Sequence, residues 1–204
     1  MPARSHSADP RAERVRARLR GAALALAHER PVDEITVANL VARAEVSRQV
    51  FYRHFRDRDD AVAAAVTEAF DGAVAAIETA SEQDSRSRIV GLFGFAAEHR
   101  AMYRNIVPST VAQHAVGTFR DALFPACEEI AGAAMARLAH DGPAAAPLPV
   151  ESVSRFLVGG FMEVLRSWME DREATDLIGR VNAALDTVDA LLGIATVQKG
   201  PQHG

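Results

Sequence analysis

A single cysteine, Cys127, among 204 residues rules out an internal disulfide and fits a reducing compartment. Long apolar runs are missing as well. Although 49% of the residues are hydrophobic, they fall in short periodic groups, none near the roughly 20 residues a membrane span requires. The opening MPARSHSADPRAER has no apolar core and does not read as a secretory signal. There is no glycine-rich phosphate loop. The seven histidines include no i, i+4 pair and have no cysteine partner, so no zinc pattern emerges. Glu98-His99-Arg100 reads as a solvated helix end rather than an acid–base pair. These absences predict a cytoplasmic, membrane-free chain with no catalytic residues, no metal and no cofactor.

Charge is unevenly spread. The net value is −4, yet residues 1–60 hold 12 arginines against 9 acids, whereas residues 61–204 hold 11 basic and 18 acidic groups. A basic head on an acidic body is the asymmetry expected when one end meets phosphate, although a chance split gives the same sums.

What the chain has in abundance is helical periodicity, and no strand alternation competes with it. Residues 1–8 read as a disordered tail. Asp9-Pro10 is a helix start, and Val15, Leu19, Ala22, Ala23 and Leu26 form a buried stripe running to about Glu29, before Pro31. In ITVANLVARAEVSRQVFYRHF, residues 35–55, two short helices follow each other. Thr36 is placed to cap the first, with Val37, Leu40, Val41 and Ala44 on one face. Ser47 is placed to cap the second, where Phe51 and Phe55 stand four apart and point inward. Arg48, Gln49, Tyr52 and Arg53 are left facing outward, and long donors with an aromatic at the start of a second helix suit major-groove recognition. The pattern is a helix-turn-helix.

This block resembles the N-terminal DNA-binding domain of the tetracycline-repressor (TetR) family. Thr36, Val37, Leu40, Ala44, Val46, Ser47, Phe51, Tyr52, His54 and Phe55 match that family's motif, and Arg58 stands at its lysine, over about 50 residues from near Arg11 to Val62. Glu45 replaces the turn glycine, Val41 a small alanine, Val50 a threonine and Ala61 a leucine. A positive φ at Glu45 would cost on the order of 1 kcal/mol relative to glycine and set a carboxylate near DNA. On this reading Arg48 and Gln49 touch base edges, Val50 offers a methyl contact to thymine, and Thr36, Tyr52, His54 and Arg58 hold phosphates. The domain expected is 9–57.

The remaining residues, 58–195, read as an all-α body followed by a tail at 196–204. Asp57 is placed to cap a helix over roughly 58–80 that links head to body, with a break in SEQDSRS, 81–87. One helix is expected from Ile89 to about Ile106, before Pro108. Another is capped by Ser109 and ended or kinked by Pro125. Its continuation stops at Gly142-Pro143, ahead of a Pro/Ala-rich connector, 141–149. A helix at 150–170 is apolar on more than one face and the last runs over about 175–194, so a second copy of the chain is the economical cover. The alternative is that both helices complete the monomer core. The resemblance favours a homodimer through about 150–194, reading a palindromic double-stranded DNA operator.

The resemblance also implies a pocket for a small organic ligand in the body. Phe93, Phe95, Met102, Tyr103, His114, Phe119, Cys127, Phe161, Met162 and Trp168 are its candidate lining, with Gly91 and Gly94 hinting at unfilled volume. Aromatic and methionine side chains at helical spacing are equally at home in a plain core. The expected function is a ligand-responsive transcriptional regulator, a repressor released by its effector. The rival is an all-α enzyme or small-molecule carrier with an incidental helix-turn-helix.

Overall fold

The computed structural model describes residues 10–80, 84–107, 109–140 and 148–192. The tails at 1–8 and 196–204, the cap at Asp9, the Gly142-Pro143 stop, and residues 81–83 and 141–147 of the two connectors lie outside the described residues. Every regular element among the described residues is helical: α1 (Pro10–Glu29), a 3₁₀ turn (Val32–Glu34), α2 (Val37–Ala44), α3 (Arg48–His54), α4 (Arg58–Thr79), α5 (Ser85–Glu98), α6 (Arg100–Ile106), α7 (Thr110–His140), α8 (Val150–Glu170) and α9 (Leu177–Leu191). The all-α expectation holds. No described helix is long and apolar enough to cross a membrane.

The described residues fall into two compact units. Of the described residues, the first takes in those within 10–73 and 98–119, the second those within 74–97 and 120–192. Residues 58–73 and 98–119, which the domain reading assigned to the body, therefore cluster with the helix-turn-helix. In this unit α1 packs on α2 and α6, and α2 packs on α3. Leu19, Ala22, Ala23, Leu26, Leu40, Ala44, Phe51, Phe55 and Val62, which the periodicity marked as inward, are buried, while Val15, Val37 and Val41 are half-buried. Asn105 Nδ2 donates to the Ala27 carbonyl at 2.8 Å and so ties α6 to the last turn of α1.

In the second unit α8 packs on α9. Val153, Leu157, Phe161, Leu165 and Trp168 of α8 are buried, as are Leu177, Val181 and Leu185 of α9. Arg86 reaches from α5 to α9, where it meets Asp186 at 2.7 Å and Asp189 at 3.3 Å.

Two expectations need correction. The single helix predicted for Ile89–Ile106 is two, because His99 adopts φ −101° and ψ 18° between α5 and α6. No proline or glycine marks that break, so periodicity carries straight across it. Of the two outcomes expected at Pro125, an end or a kink, the end does not occur, since α7 runs through it. Proline forfeits the hydrogen bond to the Asp121 carbonyl and crowds that carbonyl with its ring, but both residues are exposed, so water can take the carbonyl. An unbroken α7 contributes residues to both units, as α4 does, so α4 is not alone in linking head and body.

Candidate nucleic-acid interface

The site is built from caps. Thr36 opens α2 with extended backbone, its hydroxyl accepting from Asn39 N–H at 3.1 Å, while Asn39 Oδ1 accepts from Thr36 N–H at 2.9 Å. This is a reciprocal capping box with asparagine in the usual glutamate position. The Thr36 hydroxyl also donates to Asn39 Oδ1 at 2.7 Å, so its hydrogen-bonding capacity is used within the turn. Ser47 caps α3 by accepting from Val50 N–H at 3.3 Å. Asp57 caps α4 by accepting from Asp60 N–H at 2.8 Å. Each cap satisfies a backbone donor that the first helical turn leaves open. All three fall where the sequence put them.

With its ends fixed, α3 sorts its faces. Phe51 and Phe55 are buried with ring centroids 5.9 Å apart, and the Arg16 guanidinium lies 5.8 Å from the Phe55 ring. Tyr52 packs edge-on to Phe51 at 5.3 Å yet stays 59% exposed. Arg48, Gln49 and Arg53 are exposed, and among the described residues none of them hydrogen-bonds or pairs with another group. Val50 and His54 are half-buried. Long, unpaired donors on the outer face of a firmly capped helix are free to meet base edges and phosphates.

Arg58 behaves differently. Its Nη1 donates to the carbonyls of Asp33 and Ile35, each at 3.1 Å, and its Nε lies 2.7 Å from Asp59. The start of α4 is thus bolted to the 3₁₀ turn ahead of α2, a role that no local pattern announces because the partners lie 23 and 25 residues away.

Glu45 closes α2 in the left-handed region, at φ 51° and ψ 49°. It is the one positive-φ residue other than glycine among the described residues. The conformation costs on the order of 1 kcal/mol relative to glycine. Its carboxylate meets Arg18 Nη2 of α1 at 3.0 Å, with Arg18 50% and Glu45 83% exposed at their side chains. An ion pair so open to water returns no more than about 1 kcal/mol. Arg18 was missed by sequence reasoning, since a partner 27 residues away leaves no spacing signal.

Residues 19–65 match the model of bacterial regulatory proteins of the tetR family. Over those residues the chain resembles the tetR family. No curated protein sequence matches it. Solved tetR-family structures share the fold at low identity. A transcriptional regulator from Syntrophomonas wolfei str. Goettingen is 15% identical with a TM-score of 0.61, covering 92% of this chain and 99% of its own. One from Streptomyces coelicolor is 22% identical with a TM-score of 0.58, covering 89% and 86%. The regulator FadR from Bacillus subtilis, solved in complex with stearoyl-CoA, is 15% identical with a TM-score of 0.59, covering 84% and 96%. The chain thus shares the fold of these transcriptional regulators.

The ten expected ligand residues are drawn from both compact units. Met102, Tyr103, His114 and Phe119 belong to the first unit, and Phe93, Phe95, Cys127, Phe161, Met162 and Trp168 to the second. Phe119 pairs with Phe70 at 5.7 Å, and Phe93 with Phe161 at 6.1 Å. Burial pushes the Tyr103 hydroxyl and the Cys127 thiol each up to about 12. His114 is exposed and lies 3.1 Å from the Thr67 hydroxyl. With Arg16, Arg20, Thr67, Glu68 and Asp71 it borders an open groove of about 680 Å³ in the first unit. The two glycines diverge as well. A side chain at Gly91 would stand 3.2 Å from Ile77, so that glycine permits close packing. At Gly94 it would meet nothing within 4 Å, so the hint of free volume survives at Gly94 alone.

Proposed function

We propose that the protein is a homodimeric repressor that binds a palindromic operator and is released by a small organic effector. The observation that carries the DNA side is the outer face of α3, where Arg48, Gln49, Tyr52 and Arg53 project from a helix anchored by Phe51 and Phe55. Arg48 and Gln49 read bases, and Tyr52, Arg53 and His54 meet the backbone, with Val50 against a thymine methyl.

Support for the dimer comes from α8. Phe156 is 77% exposed, and one turn further on Gly159 and Gly160 are exposed with open space around them. A large aromatic beside a glycine notch is self-complementary across a two-fold axis, because each copy supplies both the knob and the hole. Leu191 of α9 is a second large apolar side chain left exposed, at 78%. For the effector, Phe93, Phe161 and the space at Gly94 offer an apolar wall in the second unit, and stearoyl-CoA, held by the Bacillus subtilis neighbour, is the first probe.

Selection of duplexes from a random library tests the reading. A palindromic consensus is expected, bound by a species that sediments as two chains. Arg48→Ala should lose about 1–3 kcal/mol on that consensus and relax one position in each half-site. Phe156→Arg should give a monomer. Selection returning no consensus, or a consensus without two-fold symmetry bound by a monomer, overturns it.

A further inference from the structure

Between Ile35 and Arg56 the sequence carries four arginines, Arg43, Arg48, Arg53 and Arg56, and one acid, Glu45. That acid occupies the strained backbone position, at φ 51°, where glycine fits without penalty. The ion pair it makes is open to water and at most offsets the strain, so the arrangement adds no net stability over glycine. Strain retained at a functional surface points to a role in function.

The role follows from its partner. Arg18 Nη2 donates to the Glu45 carboxylate at 3.0 Å and lies 3.5 Å from the Glu45 carbonyl, so the guanidinium is held against the turn two residues ahead of the Ser47 cap. The turn leads directly into the helix that carries Arg48, where phosphates flank a bound duplex. Unpaired, an exposed arginine here would neutralise a phosphate; paired, its charge is already spent.

We propose that Glu45 is a brake on backbone binding: it positions Arg18 away from phosphate and lowers affinity for DNA of every sequence alike. The inference rests on the proposed docking of α3 on duplex DNA. Its consequence is a protein less held up on random DNA, whose binding is almost wholly electrostatic.

The test uses the full-length chain and a 30-base-pair duplex of random sequence, with affinity measured by fluorescence anisotropy from 50 to 200 mM salt. Glu45→Gln removes the charge and keeps the side chain's bulk. It should release Arg18 to one phosphate, steepening the salt slope by about 0.9, a further loss of roughly 3.5-fold in affinity across that salt range. Arg18→Ala bares the carboxylate and should weaken binding at low salt. The double variant should return close to the parent, because the two effects share one cause. Glu45→Gly removes strain and charge together and should match Glu45→Gln on DNA. An unchanged slope in Glu45→Gln overturns the brake. So does a double variant as weak as Arg18→Ala, which would make Arg18 a phosphate contact in its own right. A gain in Glu45→Gly without one in Glu45→Gln would assign the effect to backbone strain and also overturn it. Arg48→Ala, measured alongside, separates the two ideas: if it loses binding while Glu45→Gln changes nothing, the brake fails and the docking of α3 stands. Failure of the parent itself to bind the duplex overturns both.

Discussion

Replacing Arg58 by alanine should unfold the head before it weakens any contact with DNA. The side chain is 28% exposed and spends its donors inside the protein, on the carbonyls of Asp33 and Ile35 and on the Asp59 carboxylate. A hydrogen bond from a charged donor contributes about 1.5–3 kcal/mol, the upper part only where the acceptor is shielded from water. The contact to Ile35 is part-buried and counts at that scale, whereas the one to Asp33 is exposed and water replaces most of it. The neighbouring pair with Asp59 adds little, as surface pairs do. The expected loss is about 2–3 kcal/mol, which for a chain of this size lowers the melting midpoint by roughly 4–12 °C. Arg58→Lys, with a single ammonium in place of a fork, should recover less than half of it. Thermal unfolding followed by circular dichroism measures the loss, and anisotropy against salt at 15 °C, where the variant stays folded, measures any phosphate role. A midpoint within about 1 °C of the parent, accompanied by a flatter salt slope, would refute the bracing role. It would restore the sequence-based expectation that Arg58 serves a phosphate.

Further outcomes are as definite. Burial first, and then the neighbouring His99 ring at 5.2 Å, hold the His28 imidazole below its ordinary 6.5. The unfolded chain therefore binds a proton near pH 6.5 that the folded chain refuses, so stability should fall as pH drops below that value. Urea midpoints at pH 7.5 and 5.5 should diverge less in His28→Gln than in the parent; equal divergence would show that His28 is not responsible. Cys127, fully buried with its thiol pushed up to about 12, should resist alkylation at pH 8 until the protein unfolds, and rapid labelling of the native state would contradict that burial. Gly94→Trp should keep the fold and DNA binding while blocking a stearoyl-CoA-induced thermal shift, whereas Gly91→Trp should unfold the protein against Ile77. Equal damage from both would make Gly94 a packing residue.

The features legible in the sequence are those whose cause lies within one or two helical turns. Thr36, Ser47 and Asp57 were readable as caps because a cap and its backbone donor are three residues apart. Phe51 and Phe55 were readable as inward because residues four apart share a face. The exposed outer face of α3 follows from that alone.

What only tertiary structure decided involves partners far along the chain. Arg58 looks like a surface arginine until α4 brings it beneath the carbonyls of residues 33 and 35. Arg18 has no role until the fold sets it against Glu45. Gly91 and Gly94 are indistinguishable as letters, and only the approach of Ile77 separates a packing glycine from an open one. The break at His99 and the passage of α7 through Pro125 belong to the same class. The ten aromatic, methionine and polar residues suggested as one ligand lining divide between two compact units for the same reason. Periodicity reports which side of a helix is apolar, and packing alone determines what that side meets.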